Sequence, residues 1–369
     1  MRSDHLTIGF VRRGFSSGGA ETYLKRLAAG VAGAGHHVSL YTSADWPAEE
    51  WNFGPIVRLK AASAIAFADA LEKVRGEKDC DILMSLERLW RCDVYRAGDG
   101  VHRAWLERRD EVAGPLQKLS RLWNRKHSAT LSLEASLFGQ SGAGRVIANS
   151  RMVKEEIIRL YGYPAEKINV IYNGVPLQSL QRDEVDRAKT REAHGLAKDD
   201  IAVLFAGSGW ERKGLRFALD AMERQEKGMA LLVAGRGESR RFKSERAEFL
   251  GIVSEMPSLY AAADIFLLPT IYDPFSNACL EALAAGLPVV TSRANGFSEI
   301  IEHGVHGSVI DDPRNIDAID EALRFWSDPT RRAQARLDNH ALAAQFDISA
   351  NVDQTLEILT QIAARAAST

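Results

Sequence analysis

A chain of 369 residues with 46% apolar side chains exceeds the size at which one hydrophobic core keeps growing, so two domains are expected. No run approaches the roughly 20 apolar residues that a membrane-spanning helix needs, and the charged start MRSDHLTIGFVRRG has no signal-peptide core, which makes a soluble cytoplasmic protein the expectation. The net charge of −2 is unevenly spread: residues 1–172 carry 25 Lys+Arg against 20 Asp+Glu and the remainder 22 against 29, so the first half suits an anionic partner unless the asymmetry only draws the halves together.

In chain order, LTIGFV (6–11) reads as a buried parallel strand, followed by a glycine loop and a helical repeat that places Leu24, Leu27, Ala28 and Val31 on one face. HHVSLYT (36–42) completes a βαβ unit. DILMSL (81–86), DVYRAG (93–98), GRVIANS (144–150) and INVIYNGV (168–175) are the next strands, with a long basic, aromatic helical segment before GRVIANS and a helix over 152–162. A polar linker follows. Strands IAVLFAGSG (201–209), MALLVAG (229–235), DIFLLPT (264–270) and PVVTS (288–292) then alternate with helices, and from about 315 the pattern is helical to the end. The cycle occurs twice, which predicts two Rossmann-like parallel sheets, each covered on both faces. The predicted division is an acceptor-side domain over 1–172, a donor domain over 173–345, and a C-terminal helix over 346–369 that packs back on the first domain.

Ligands of such sheets sit beyond the carboxyl ends of the strands, so four post-strand segments carry the chemistry. GFSSGGAETYL (14–24) offers Gly18 and Gly19 before a helix N-terminus, which suits an anion, although a tight βα turn needs glycine in any case. GSGWERKGLRFAL (207–219) places Arg212 and Lys213 at the start of a helix, where two cations oppose the helix dipole unless an anion such as a diphosphate joins them. In DPFSNACLEALAAGLPVV (273–290), Asp273 reads as an N-cap with Pro274 first in the helix, which leaves Glu281 unexplained in an apolar helix. DVYRAGDGVHRAWLERR (93–109) puts Asp99 and His102 in a loop facing either a cleft or solvent. The segment 102–127 holds seven Lys+Arg against three Asp+Glu with Trp105 and Trp123 interleaved, a composition for anionic headgroups or for a buried apolar face with a solvated basic side.

Other chemistries are disfavoured. Cys80, Cys92 and Cys279 form no C-x-x-C pair and read as reduced thiols. Asp79-Cys80-Asp81 precedes its strand and is assigned no metal; no Walker loop or nucleophile elbow occurs, and nucleic acid is not an expected partner.

The GGAE loop (18–21), IANSRMVKEEIIRLYGYPAEKINVIYNGV (147–175), the RKG turn (212–214) and DPFSNACLEALAAGLPVV occur together in one order and spacing. In these the chain resembles the family 4 retaining glycosyltransferases, an α/β class with the GT-B architecture of two Rossmann-like domains facing a cleft and C-terminal helices. GSGWERKG and AGDGVHRAW are most similar to the lipopolysaccharide-core glucosyltransferase I group. The resemblance implies transfer of a sugar, with configuration retained and without metal or other cofactor, from a nucleotide-diphosphate sugar to a glycan or glycolipid. It implies that Arg212 and Lys213 hold the donor diphosphate, Glu281 the ribose and Asp273 the transferred sugar. Phe275, Ser276 and Asn277 would add backbone contacts, Gly18 and Gly19 would close over the sugar, and Asp99 and His102 would line the acceptor side, with Asp273, Asp99 and His102 as the catalytic residues. Asp273 and Ser276 stand where the family usually has glutamate and glycine, and Ser208 where some members have arginine. Rival readings are a nucleotide-sugar epimerase or hydrolase on the same fold, and a silent sugar-nucleotide binder.

Overall fold

The computed structural model describes residues 5–15, 19–74, 80–112, 125–181, 183–242 and 244–368. They fall into two compact units, one comprising 1–172 with 348–369 and the other 173–347.

The first unit is built on seven parallel strands: β1 (Thr7–Val11), β2 (His37–Ser43), β3 (Ile56–Leu59), β4 (Ile82–Ser85), β5 (Cys92–Ala97), β6 (Ala143–Ala148) and β7 (Ile168–Val170), in the order β3-β2-β1-β4-β5-β6-β7. Helix α1 (Gly19–Gly33) buries Tyr23, Leu24, Leu27, Ala28 and Val31 against Ile8, Phe10 and Met84, as the helical spacing predicts. Helices α2 (Ala64–Val74), α3 (His102–Val112), α4 (Arg125–Leu137) and α5 (Arg151–Tyr161) complete the described cover. The ends of α5 are written in the sequence: the Ser150 hydroxyl accepts from Val153 N, and Gly162 terminates the helix with φ of 62°.

In the second unit, α6 (Glu184–Ala193) precedes β8 (Ile201–Ala206), α7 (Leu215–Met222), β9 (Met229–Ala234), β10 (Ala247–Gly251), α8 (Met256–Ala262), β11 (Ile265–Leu268), α9 (Asn277–Ala284), β12 (Val289–Ser292) and β13 (Gly307–Ile310). The six strands are parallel in the order β10-β9-β8-β11-β12-β13. Helices α10 (Ile316–Trp326) and α11 (Pro329–Ala343) follow, and α12 (Ile348–Ser368) belongs to the first unit, where Val352, Leu356 and Leu359 join the core of α1.

Among the described residues, the expected linker contains a helix. Its helix α6 carries Arg187 and Arg191, whose guanidiniums donate to Asp264 and to the carbonyls of Ala261, Ala262 and Ala263 at the end of α8. Orphan carbonyls of one helix thus anchor another. The strands absent from the reading, β3, β10 and β13, all lie at sheet edges, where a short run with one unpaired side carries mixed polarity. The run 168–175 also divides. β7 stops at Val170, and Val175 pairs with Asp347 in the second unit.

Both sheets reverse strand order between their first and fourth strands, β1 and β4 in one and β8 and β11 in the other. Those two positions are where ligand crevices of open α/β sheets form. No helix among the described residues is long and apolar enough to cross a membrane.

Close packing of α12 on α1 depends on Gly30, where a Cβ would lie 2.6 Å from a Val352 methyl carbon. Gly30→Leu is expected to destabilise the first unit by about 1–3 kcal/mol, read as a lower urea midpoint, because the added volume has no cavity to enter. An unchanged midpoint would contradict this packing.

Candidate functional site

At the switch point of the second unit, the turn after β8 is pressed against the end of β11. Gly214 permits this: its φ is 76°, and a Cβ there would stand 1.9 Å from the Pro269 carbonyl oxygen. The Arg212 carbonyl accepts from Ile271 N and Thr270 Oγ1, each at 2.9 Å. Arg212 Nη1 donates to the Tyr272 carbonyl at 2.7 Å, and Lys213 Nζ forms an ion pair with Asp273 Oδ2. The two cations therefore precede α7 and have partners from the neighbouring strand loop, which answers the dipole conflict that the sequence poses.

Asp273 is not a helix cap. Helix α9 begins at Asn277, and its N-cap is Ser276, whose hydroxyl accepts from Cys279 N at 3.3 Å. Pro274 disfavours helical backbone at the residue before it, so Asp273 is free to form an isolated parallel bridge with Asn295. Asp273 N donates to the Ala294 carbonyl and Gly296 N to the Asp273 carbonyl, both at 2.9 Å. Asp273 is 4% exposed, so its carboxylate is held in place by Lys213 on one side and by this bridge behind.

The buried side chain of Asn295 joins the two loops. Its Oδ1 accepts from Ser276 N at 3.2 Å and Phe297 N at 3.1 Å, while Nδ2 donates to Thr291 Oγ1 at 3.0 Å and Cys279 Sγ at 3.4 Å. Phe275 packs edge-on against Phe297, and Asn277 Oδ1 accepts from Asn173 Nδ2 at 2.6 Å. Glu281 lies four residues beyond Asn277, about 6 Å along the helix axis. It is half-buried, and its Oε2 accepts from the Tyr260 hydroxyl at 3.0 Å. Burial pushes the neighbouring Cys279 thiol up to about 12, which keeps it protonated and unreactive at neutral pH. Arg212, Lys213, Asp273, Phe275, Ser276, Asn277 and Glu281 are thus assembled along one end of this sheet.

The corresponding end of the first unit holds the other candidates. Gly19 is the first residue of α1, while Gly18 lies outside the described residues. Arg12, after β1, donates to Glu21 Oε1 through Nε at 3.2 Å and Nη2 at 3.1 Å, and to Asp99 Oδ2 through Nη1 at 2.9 Å. Glu87, after β4, approaches the same nitrogen at 3.7 Å. Burial raises the Glu87 carboxyl above its ordinary range against the pull of Arg12, with the charge of Asp99 adding to the rise. His102 opens α3, its Nε2 lies 3.1 Å from His127 Nδ1, and Trp105 stacks beside both rings with the Arg109 guanidinium over it. Burial, then the positive charge of Arg88, lower His102 to about 4, so it is a neutral imidazole at physiological pH.

Sequence reasoning did not single out Arg12, Glu87 or Asn295, although each lies within a few residues after a strand. Tyr260 had no such signal. Residues 113–124 of the basic segment and Asp79 of the D-x-D lie outside the described residues, among which no three His, Cys, Asp or Glu side chains converge to hold a metal ion.

Two family models match the chain: Glycosyltransferase Family 4 over residues 17–179 and Glycosyl transferases group 1 over 200–328. The chain is 25% identical to the lipopolysaccharide glucosyltransferase WaaG of Escherichia coli strain K12, over 94% of this chain and 96% of that protein. It is 32% identical to an uncharacterized glycosyltransferase of Methanocaldococcus jannaschii, an alignment spanning 49% of this chain and about half, 51%, of that protein. Among solved structures, WaaG superposes with a TM-score of 0.82 at 21% identity, covering 96% of this chain and 99% of that one. Anabaena HepE in complex with UDP and glucose gives 0.75 at 22%, covering 96% and 100%.

Asn295→Ala is expected to lower the stability of the second unit by about 2–4 kcal/mol, since it leaves the buried amides of Ser276 and Phe297 without an acceptor. Urea unfolding checks this, and a change within about 0.5 kcal/mol, typical of an uninvolved surface site, would contradict it.

Proposed function

We propose that this chain, which belongs to the family 4 glycosyltransferases of GT-B fold, moves a hexose, with glucose the first choice, from a UDP-sugar to a lipopolysaccharide-core type glycan or glycolipid. The observation that carries the reading is the gathering of Arg212, Lys213 and Asp273 at the switch point of the second unit, with Glu281 on the adjoining helix. UDP and glucose are favoured because HepE was crystallised with both and the full-length relative is a glucosyltransferase.

In this reading the donor diphosphate lies against Arg212, Lys213 and the backbone amides that begin α9. Charge builds on the leaving diphosphate as the glycosidic bond breaks, and fixed cations and amide dipoles stabilise it without reorganisation. No divalent cation is assigned a part in that task. Arrival of the diphosphate draws Lys213 away from Asp273, whose carboxylate then accepts hydrogen bonds from sugar hydroxyls. Glu281, oriented by Tyr260, accepts from the ribose. Asp99 and the neutral His102 face the acceptor, which attacks from the side of the leaving group and so retains configuration. His102 serves there as a hydrogen-bonding group and not as a cation.

A glycolipid acceptor is carried on a membrane. Residues 102–127, of which 102–112 and 125–127 are described, are the proposed contact with the anionic cytoplasmic face.

Thermal unfolding with UDP-glucose, UDP-galactose, ADP-glucose and GDP-mannose tests the donor. A sugar nucleotide at 100 times its Kd adds about 2.7 kcal/mol of stability, and UDP-glucose is expected to give the largest rise. Glu281→Ala is expected to weaken UDP-glucose about tenfold or more, the loss of one or two hydrogen bonds to a charged group. UDP affinity unchanged by Arg212→Ala combined with Lys213→Ala would overturn the assignment, and donor turnover without any acceptor would favour a hydrolase or epimerase.

A further inference from the structure

We propose that Glu134, together with Arg88, is a positioning residue for the loop 98–102, and through it for Asp99 and His102. The inference rests on the reading above that this loop lines the acceptor side.

Glu134 lies on α4 with no exposed surface. Its Oε1 accepts from Arg88 Nε at 3.0 Å and His102 N at 2.7 Å, and its Oε2 from Arg103 N at 3.1 Å and the Tyr161 hydroxyl at 2.7 Å. Each oxygen thus has two donors, and two of the four are the first backbone amides of α3. The other end of Arg88 completes the arrangement, because Nη2 donates to the Gly100 carbonyl at 2.7 Å. One carboxylate therefore fixes the chain at 102–103 while the guanidinium it holds fixes the chain at 100. From the opposite side, Arg12 fixes the Asp99 carboxylate.

A helix start needs no such device for its own sake. Ser, Thr, Asp or Asn just before His102 would satisfy the Arg103 amide locally, but the residue there is Val101, buried and apolar. The acceptor comes instead from a residue 32 positions further along the chain. Removing a carboxylate and a guanidinium from water costs several kcal/mol each, and the attraction between them returns little net stability. The product of the arrangement is a defined position for the loop. Burial opposes ionisation of Glu134, but Arg88 and the donors from His102, Tyr161 and Arg103 outweigh it and hold the carboxyl below its usual range.

The experiment uses the full chain with UDP-glucose as donor and a deacylated lipopolysaccharide core oligosaccharide as acceptor. Transfer to the oligosaccharide and hydrolysis by water are measured side by side. In Arg88→Lys the charge stays, but a single ammonium cannot span Glu134 and Gly100 as the planar fork does. Glu134→Gln keeps one carbonyl acceptor, enough for one of the two amides, and removes the charge that holds Arg88. In both variants the donor KM and the UDP-induced rise in Tm are expected to stay within about twofold of wild type, while the ratio of transfer to hydrolysis falls at least about tenfold, the loss of a single well-placed interaction. A purely structural role lowers both rates together, so an unchanged ratio in Arg88→Lys, the variant that keeps the buried charge paired, overturns the positioning role. A wild-type chain that binds no nucleotide sugar, or gives no product with any donor, overturns the functional reading itself and the inference with it.

Discussion

The ion pair between Lys213 and Asp273 joins the loop after β8 to the loop after β11, the two strands between which the second sheet reverses its order. Much around it follows from that closure. Gly214 is required because the turn that delivers Lys213 runs against the Pro269 carbonyl, and Arg212 is turned onto the Tyr272 carbonyl by the same approach. Asp273 reaches the pair from an extended bridge to Asn295, and the side chain of that asparagine accepts from the backbone of Ser276, where α9 is capped. The position of Glu281 is inherited from that start.

The first unit repeats the plan with a different balance. Arg12 follows its first strand and Glu87 its fourth, so a cation and a carboxyl again meet at the point of reversal. Here, however, one guanidinium is shared among Glu21, Glu87 and Asp99, whereas in the second unit two cations stand beside one buried acid. The charge of the whole half is misleading at this scale. Residues 1–172 are net basic, yet their switch point is rich in carboxylates, which suits hydroxyl groups better than phosphates. The basic residues of that half are concentrated elsewhere, notably in 102–127.

The doubly wound architecture was legible in the sequence because central parallel strands are buried on both faces and read as continuous apolar runs, as IAVLFA and DIFLLP do. Edge strands such as GSVI lack that pressure and were passed over. At the site, Arg212, Lys213 and Glu281 stood out because each conflicts with its local setting, cations before a helix and an acid within an apolar one. Asp273 reads as a cap because Asp-Pro is a familiar helix opening, whereas the structure caps α9 at Ser276 and puts Asp273 in a bridge to Asn295. Asn295 reaches Cys279, Tyr260 reaches Glu281, and Glu134 reaches His102 and Arg88, partners 16 to 46 positions away that no local pattern announces.

In the proposed function the pair of Lys213 and Asp273 is a resting contact that the donor replaces. A crystal structure of the chain with UDP-glucose tests this most directly. It is expected to show diphosphate oxygens on Lys213 Nζ and the Arg212 guanidinium, Asp273 on a sugar hydroxyl and Glu281 on the ribose. An intact pair between Lys213 and Asp273 with the nucleotide bound away from it would contradict the account.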